Sequence, residues 1–346
     1  MKLNILVLGA GGNASRNYIK SLRLNKDFIG KIIGTDISLN ATYVSNADKC
    51  YLIKESDKLN SINEIIENEQ IDYVHAQPDS EVQFISKNSS QINAKTLNIK
   101  KEFIKKYGNK EFTNQMWSEK FGSFETYSYV DILENNELFE NCISKNGIAW
   151  VRKSYGAGSS GALPVNTIKQ LHDWINYWVE FKKSNLEDFI VSEYLPGKEF
   201  AVQVLFWKGE LIHYQPRERL EYFFAKQMVS GQSSTPSIAR TVVNKNLKDI
   251  TLDAIKTIEP NPHGIYCVDL KENNDSSIVP MEVNYGRFFT TSYFFSKLNV
   301  NTPLDVIKKS FDLSVEPKIE YLKANIYCYR GLDMEMKIID RSNEEF

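Results

Sequence analysis

Segments with strand-like and helix-like patterns alternate through residues 1–98, and this alternation restricts the fold more than any other feature of the chain. The pattern predicts buried strands at LNILVLG, KIIGTDIS and IDYVHAQ, separated by helices at SRNYIKSLR and INEIIENEQ. Strands that alternate with helices imply a parallel sheet with helical crossovers. We therefore expect a small α/β domain in this part of the chain.

The pattern changes after residue 98. Residues 99–120 predict a helical segment with a turn at Gly108 and Asn109, and a further helix is predicted at TIKQLHDWINYWVEF. Strands are predicted at AWVRKS, DFIVSEYL, EFAVQVLFW, ELIHYQPR, GIYCVDLK and SIVPMEVN. WKGE predicts a tight antiparallel hairpin, and YLKANIYCYRGLDMEMKII is expected to add a strand or two. We expect an α+β body behind the α/β domain.

Composition argues against several classes of protein. A chain of 346 residues is too long for one ordinary hydrophobic core, so more than one domain is expected. Its 42% apolar and 25% charged residues are typical of a globular protein. A net charge of −2 argues against binding nucleic acid through a basic surface, and no apolar run approaches the length of a membrane span. The N-terminal apolar stretch lacks a signal-peptide cleavage pattern. We expect a cytoplasmic protein without nucleic-acid or membrane partners, and its four scattered cysteines fit free thiols in a reducing compartment.

Residues 9–14, GAGGNA, fit the pattern G-x-G-x-x-G/A after a strand, and Asp36 ends the next predicted strand. Together these features favour a dinucleotide site, with Asp36 on the ribose. A complete site of that kind needs two mononucleotide halves, and the pattern supplies three or four strands. A tight strand-to-helix turn is therefore the preferred interpretation, and an NAD-dependent oxidoreductase is an alternative.

A second glycine cluster, GAGSSG, fills residues 156–161 directly after the predicted strand AWVR. Successive amides in such a loop form a concave surface that binds phosphate oxygens. Arg152, at the end of the strand, is placed to neutralise their charge. The alternative is a surface hairpin in which Arg152 and Lys153 are solvated.

The segment FIVSEYLPGKEFAVQV places Glu193 before a turn and Glu199 after it. Backbone groups in such a turn can pair with an adenine edge, and a carboxylate can accept hydrogen bonds from ribose hydroxyls. By itself the segment is an ordinary hairpin edge.

Two further predicted strands carry Asp269 on one, and Glu282 and Asn284 on the other. Glu282 and Asn284 lie two residues apart in a strand, so they face the same side. Two carboxylates and an amide oxygen are ligands for a hard cation such as Mg²⁺. The alternative is a group of hydrogen-bonded polar residues at a sheet edge.

The order of these motifs resembles the ATP-grasp superfamily, and within it the carboxylate–amine ligases similar to the large subunit of carbamoyl phosphate synthetase. The resemblance runs through about residues 3–300. It implies a Rossmann-like pre-ATP-grasp domain at 1–98 that binds no dinucleotide. An N-terminal ATP-grasp lobe with a glycine-rich lid would follow at 99–190. A C-terminal lobe with the metal site and an extension would occupy 191–346.

The resemblance also implies roles for individual residues. Those that would bind ATP are Lys110 and Arg152 at the phosphates, Gly156, Gly158, Ser159 and Gly161 in the lid, Glu193, Tyr194 and Leu195 at the adenine, and Glu199 at the ribose. Those that would hold Mg²⁺, or alternatively Mn²⁺, are Asp269, Glu282 and Asn284. Arg287 would steady the transferring phosphoryl group.

The chain departs from the family pattern in three places. Arg152-Lys153 replaces the usual Lys-Pro or Arg-Pro, and Asp269 stands where relatives often carry Gln or Glu. Asn284 and Arg287 are separated by one residue more than in the usual N-P-R. The third departure leaves the role of Arg287 open.

The activity implied by the resemblance is an ATP-dependent ligase that joins a small-molecule carboxylate to an amine through an acyl phosphate. Arg219 and Arg240, together with Arg217, are candidates for gripping the carboxylate, because a guanidinium binds carboxylate bidentately. Asp79 or Glu81 is a candidate contact for the amine. The alternatives are a kinase of the same fold and a nucleotide-binding regulator without turnover. The chain has room for a single ATP-grasp unit, so carbamoyl phosphate synthesis is not expected, and a homodimer is the assembly considered.

Overall fold

The computed structural model describes residues 2–97, 99–122, 124–156, 160–231, 233, 235–332, 336–340 and 342. Strands in this part of the chain form three sheets, of five, four and seven strands, which we call the first sheet, the small sheet and the large sheet. No helix in these ranges is long and apolar enough to cross a membrane.

The first sheet is parallel and has the strand order β3-β2-β1-β4-β5. Its strands are β1 Leu3–Leu8, β2 Ile29–Asp36, β3 Lys49–Leu52, β4 Tyr73–Ala76 and β5 Lys95–Thr96. Its helices are α1 Asn13–Arg23, α2 Leu39–Tyr43, α3 Lys58–Glu69 and α4 Asp79–Asn88. The three predicted strands are β1, β2 and β4, and their buried apolar runs suit a sheet covered on both faces. β3 and β5 were not predicted, because four and two residues carry too little pattern.

The next part of the chain contains two successive helices and the small sheet. The helices are α5 Lys101–Gly108 and α6 Lys110–Phe121, divided at the predicted Gly-Asn turn. The small sheet is antiparallel, in the order β6-β9-β7-β8, with β6 Thr126–Ser128, β7 Ala149–Lys153, β8 Leu163–Val165 and β9 Phe189–Glu193. The helices α7 Tyr129–Glu134, α8 Glu137–Ile143 and α9 Ile168–Lys182 complete this unit, which has its own hydrophobic core.

The large sheet is antiparallel and has the order β14-β13-β10-β11-β12-β15-β16. Its strands are β10 Glu199–Trp207, β11 Glu210–Tyr222, β12 Pro236–Thr241, β13 Gly264–Glu272, β14 Ile278–Tyr285, β15 Ile326–Tyr329 and β16 Lys337–Asp340. The helices α10 Lys245–Ile258, α11 Ser292–Lys297 and α12 Thr302–Ser310 belong to the same part of the chain. The predicted hairpin joins β10 to β11, and Lys208 and Gly209 both have positive φ, as a tight primed turn requires.

One continuous hydrophobic core joins the first sheet to the large sheet. The register of the large sheet then fixes which polar residues share its other face. Glu282 pairs with Asp269, Asp269 with Ala201, and Ala201 with Arg217, so these four residues form one row across four strands. This row lies along the candidate site.

Candidate functional site

A cavity of about 500 Å³ is lined by residues of both the small sheet and the large sheet. It brings together most of the residues that the sequence singles out. The predicted site residues that line it are Lys110, Arg152, Gly156, Glu193, Tyr194, Leu195, Glu199, Arg219, Asp269, Glu282, Asn284 and Arg287. These residues come from parts of the chain more than 170 positions apart, so their meeting is a consequence of the fold.

The remaining predicted residues lie elsewhere. Gly158 and Ser159 fall outside the described residues. Gly161 does not line the cavity; its carbonyl accepts a hydrogen bond from Trp174 Nε1 at 3.0 Å, and a Cβ added to it would lie 3.0 Å from the Phe189 ring. Its positive φ of 70° also favours glycine.

Arg240 lies on the opposite face of the large sheet from the cavity. It pairs in register with Glu218, whose neighbours Arg217 and Arg219 both line the cavity, and alternate strand residues face opposite sides. Its guanidinium donates to Glu218 Oε2 through Nε at 2.8 Å and through a terminal nitrogen at 2.7 Å. The expectation that Arg240 grips the substrate is therefore corrected, because this side chain neutralises a buried carboxylate instead.

Asp269 and Glu282 face each other on adjacent strands, and both line the cavity. Asn284 Nδ2 donates to Glu282 Oε1 at 3.4 Å and its Oδ1 accepts from Arg287, and all three predicted metal ligands line the same cavity. Arg219 already pairs with Asp269 Oδ1. Within the described ranges, no group of three or more His, Cys, Asp and Glu side chains could hold a metal ion.

Cations surround Glu282. Lys110 Nζ lies 3.6 Å and an Arg152 terminal nitrogen 3.9 Å from Glu282 Oε2. Burial alone would raise the pKa of Glu282, but Lys110, Arg152, Arg287 and Arg219 together lower it to about 2. Burial raises the pKa of Asp269, although Arg219 opposes the shift. Glu282 is therefore ionised at neutral pH.

Lys110 and Arg152 approach this group from different elements. Lys110 is the first residue of α6, where Asn109 caps the helix by accepting from Phe112 N at 3.1 Å. Its Nζ donates to the Gly156 carbonyl at 2.7 Å, and burial lowers the pKa of Lys110. Arg152, the penultimate residue of β7, donates to the Met281 carbonyl at 3.2 Å, while its Nε has no hydrogen-bond partner among the described residues.

The residues expected at the adenine and ribose already have protein partners. Glu193, 2% exposed, pairs with Lys145 Nζ at 2.8 Å. The Tyr194 carbonyl accepts from Asn146 Nδ2 at 2.8 Å. Glu199 pairs with Lys271 Nζ at 2.8 Å and accepts a hydrogen bond from the Tyr222 hydroxyl.

The cavity-lining residues that the motifs did not single out include Tyr222, Lys271 and Phe289. Lys271 follows Asp269 by two positions in β13, so strand alternation alone places it on the same face. Tyr222 lies beyond register shifts in the pairing of β11 with β12. Because of these shifts, strand alternation in the sequence does not predict which face of the sheet Tyr222 is on.

The first sheet contributes to the site through the segment after β4. Asp79 Oδ1 lies 2.5 Å from Arg287 Nε, and Arg287 also donates to Asn284 Oδ1. Neither Asp79 nor Glu81 lines the cavity, and Glu81 Oε1 accepts from Lys58 Nζ at 2.7 Å in a separate buried pair. Of the two carboxylates suggested for the amine, Asp79 alone contacts a cavity residue in this way.

The N-terminal glycine turn is packed against its own chain. A Cβ added to Gly11 would lie 2.3 Å from the Ala41 carbonyl oxygen, and one added to Gly9 would lie 2.4 Å from Pro78. Asp36 accepts hydrogen bonds from Gly11 N at 3.2 Å and Ser38 N at 3.1 Å. The glycines and Asp36 thus serve a tight turn, which favours that interpretation over a dinucleotide site.

Comparison with solved structures gives extensive matches, each at low sequence identity. The biotin carboxylase domain of a 2-oxoglutarate carboxylase from Hydrogenobacter thermophilus has a TM-score of 0.68 at 12% identity, over 95% of this chain and 74% of that one. N5-carboxyaminoimidazole synthetase from Staphylococcus aureus, complexed with ADP, gives 0.68 at 13%, over 96% and 83%. L-amino acid ligase from Bacillus licheniformis gives 0.65 at 12%, over 94% and 79%.

No family model matches the chain, and no curated protein sequence does. The structural likeness shows that the chain has the ATP-grasp fold. The fold class predicted from the sequence is therefore confirmed.

Proposed function

We propose that this protein is an ATP-dependent ligase that joins a small-molecule carboxylate to an amine, releasing ADP and phosphate. The observation that supports this most is the meeting of Lys110, Arg152, Asp269 and Glu282 in one cavity between two sheets. Similar proteins include an L-amino acid ligase and an N5-carboxyaminoimidazole synthetase in complex with ADP.

The donor set fits a nucleotide with its metal ion. We propose that Lys110 and Arg152 bind the phosphates, with Gly156, Gly158, Ser159 and Gly161 in a lid. We further propose that the segment from Glu193 to Leu195 borders the adenine and that Glu199 faces the ribose. Binding there would require Glu199 to exchange one of its present partners, Lys271 or Tyr222, for a ribose hydroxyl.

Asp269, Glu282 and Asn284 fit a magnesium or manganese site completed by phosphate. Mg²⁺ is commonly held by one or two protein carboxylates, with substrate phosphates and water filling the remaining positions. Asp269 and Glu282 supply that number of carboxylates, and Asn284 adds an amide oxygen. Bound metal would neutralise charge on the phosphates.

The proposed reaction has two steps. A carboxylate oxygen of the acid bonds to the γ-phosphorus as the bond from that phosphorus to the leaving oxygen of ADP breaks. The amine nitrogen then bonds to the acyl carbon and loses a proton, and inorganic phosphate leaves. Phosphoryl transfer depends mainly on positioning and charge neutralisation, and we propose this role for Lys110, Arg152 and Arg287, which all line the cavity.

The partners proposed are therefore a small carboxylic acid and an amine. One similar protein is described as a domain dimer, which supports a homodimer as the assembly to test.

The first test is nucleotide binding. Thermal unfolding of the purified protein should shift upward with Mg²⁺ and a non-hydrolysable ATP analogue, and should not shift with NAD, because only a ligand of the native state stabilises it. A shift with NAD alone would instead support the oxidoreductase alternative.

The second test identifies the reaction. Pooled amino acids and other small acids are incubated with Mg²⁺ and ATP, and the products are analysed by mass spectrometry. An amide formed together with ADP supports a ligase. A stable phosphorylated product would support the kinase alternative, and AMP formation would contradict both.

A further inference from the structure

Arg217 is a buried cation at one side of the cavity. It lies on β11 with 2% of its surface exposed, and it lines the cavity. In the row of residues across the large sheet, Ala201 separates it from Asp269. The part of the chain that the structure describes offers Arg217 no carboxylate at ion-pair distance.

The contacts of Arg217 hold its guanidinium without neutralising it. One terminal nitrogen donates to Thr291 Oγ1, and the guanidinium carbon lies 4.2 Å from the centre of the Phe289 ring. Its Nε is buried and has no hydrogen-bond partner among the described residues. Burial lowers the pKa of Arg217 to about 10, so the side chain stays protonated at neutral pH.

The neighbouring acids are committed to other cations. Asp269 pairs with Arg219, and Glu218 pairs with Arg240 on the opposite face of the sheet. A buried charge without a partner is strongly unfavourable unless a ligand supplies the opposite charge. The cavity is therefore prepared to receive an anion at Arg217.

We propose that Arg217 binds the carboxylate of the acid substrate. This inference rests on the proposed ligase function for the identity of its ligand, and it replaces Arg219 and Arg240 as the residues for that role. A guanidinium offers parallel donors that match the two oxygens of a carboxylate.

The position of Arg217 favours the acid over the nucleotide phosphates. β11 is the third strand from β14, and strands lie about 4.8 Å apart, so the backbones of Arg217 and Glu282 are separated by roughly 14 Å, which leaves room for the carboxylate of an acid between Arg217 and phosphates held beside Glu282. Lys110 and Arg152 lie beside Glu282 and are the cations proposed for the phosphates. Arg217 thus serves a second anion in the same cavity.

Formate is a suitable probe, because as the smallest carboxylate it enters a carboxylate site whatever substituent the true substrate carries. Thermal unfolding of the full chain is measured in sodium formate and in sodium chloride at equal ionic strength, each with and without Mg²⁺ and a non-hydrolysable ATP analogue. We expect formate at ~100 mM to raise the wild-type midpoint by about 2 °C relative to chloride.

Three variants and one matched control locate the effect. Arg217→Gln should lose the formate shift while keeping the nucleotide shift. Arg217→Lys retains the charge without the paired donors, so it should keep part of the formate shift. Thr291→Val removes the hydroxyl that orients the guanidinium and should reduce the formate shift. Arg240→Gln, on the opposite face of the same sheet, should retain both shifts, each measured against its own ligand-free midpoint.

The outcomes separate this inference from the proposed function. Absence of a formate shift in the wild type, or its persistence in Arg217→Gln, overturns the carboxylate site. Loss of the nucleotide shift together with the formate shift in a folded Arg217→Gln assigns Arg217 to the phosphates and overturns the inference too. Failure of the nucleotide to shift the wild type contradicts the proposed function, whatever formate does.

Discussion

Gln77 and Phe288, which lie 211 residues apart in the chain, hydrogen bond to each other in both directions. Gln77 Nε2 donates to the Phe288 carbonyl at 2.6 Å, and the Phe288 amide donates to Gln77 Oε1 at 3.3 Å. The adjacent Arg287 pairs with Asp79, two residues after Gln77. The segment after β4 therefore holds two successive residues of the facing loop, Arg287 and Phe288.

Replacing Gln77 with Met keeps the volume of the side chain and removes both hydrogen bonds to Phe288, together with the one between Gln77 Oε1 and His75 Nε2 at 2.9 Å. The buried amide and carbonyl of Phe288 would each lose a partner, at a cost of about 1–3 kcal/mol apiece. We expect denaturant unfolding to show this loss of stability, and ATP turnover to fall because Arg287 is held less firmly. The exposed Gln91→Met is the control, and equal turnover in the two variants would contradict a positioning role for Gln77.

Glu282→Gln tests the metal assignment. The carboxylate balances Lys110 and Arg152, and the amide supplies neither the charge nor the preferred ligand for Mg²⁺. We expect turnover of ATP to fall by at least ~10²-fold, as for loss of a strong electrostatic contact, with circular dichroism unchanged. Glu210→Gln, at the exposed start of β11, is the control; full activity in Glu282→Gln would remove Glu282 from the metal site.

His75 makes the stability of the protein depend on pH. Burial lowers the pKa of His75 from 6.5 to about 4, and its ring is stacked on Tyr18 with the centroids 3.8 Å apart. Between those two pH values the unfolded chain binds a proton that the folded chain does not, so stability falls as the pH falls through that range, by about 3 kcal/mol in all.

The measurement for His75 is urea unfolding at neutral pH and near pH 5, for the wild type and for His75→Gln. The variant has no titrating ring, so we expect the wild type to lose about 2 kcal/mol more than the variant over this interval. Equal losses of unfolding free energy in the two proteins would contradict this, because they would show that His75 binds its proton equally well in the folded protein.

Arg240→Gln should affect stability and leave turnover intact. Glu218 is 5% exposed and would remain buried without its cation, which costs about 3–5 kcal/mol for pairs of this kind. Denaturant unfolding measures the loss, and ATP turnover is compared at a temperature well below the unfolding midpoint. A fall in the rate with unchanged stability would return Arg240 to the active site.

The sequence was sufficient for those parts of the fold and site that depend on local patterns. Strands such as β10 and β13 are long, nearly continuous runs of apolar, β-branched and aromatic residues, and Asp269, Glu282 and Asn284 occupy strand positions whose facing follows from a period of two. The short β3 and β5 form because neighbouring strands offer them partners, which a local pattern does not contain.

The roles of the arginines required the register between strands. Arg217 and Arg219 share a face because they lie two positions apart, but the facing of Arg240 depends on which residue of β11 it pairs with. The partners of Arg219 and Arg217 also differ, since Asp269 neutralises one and leaves the other charged. Sequence alone made all three arginines candidates for the substrate, and the three-dimensional pairing favours Arg217.

The separate core of the small sheet has a mechanical consequence. Phe124, Leu195 and Val279 form a small apolar cluster at its junction with the large sheet, while Arg152 reaches across to the Met281 carbonyl. Because the interior of the small sheet packs separately, a rigid-body movement of this unit would disturb only the contacts at the junction. Opening of the cavity to admit reactants would replace hydrogen bonds such as that from Arg152 to the Met281 carbonyl with hydrogen bonds to water, at a small net cost in free energy.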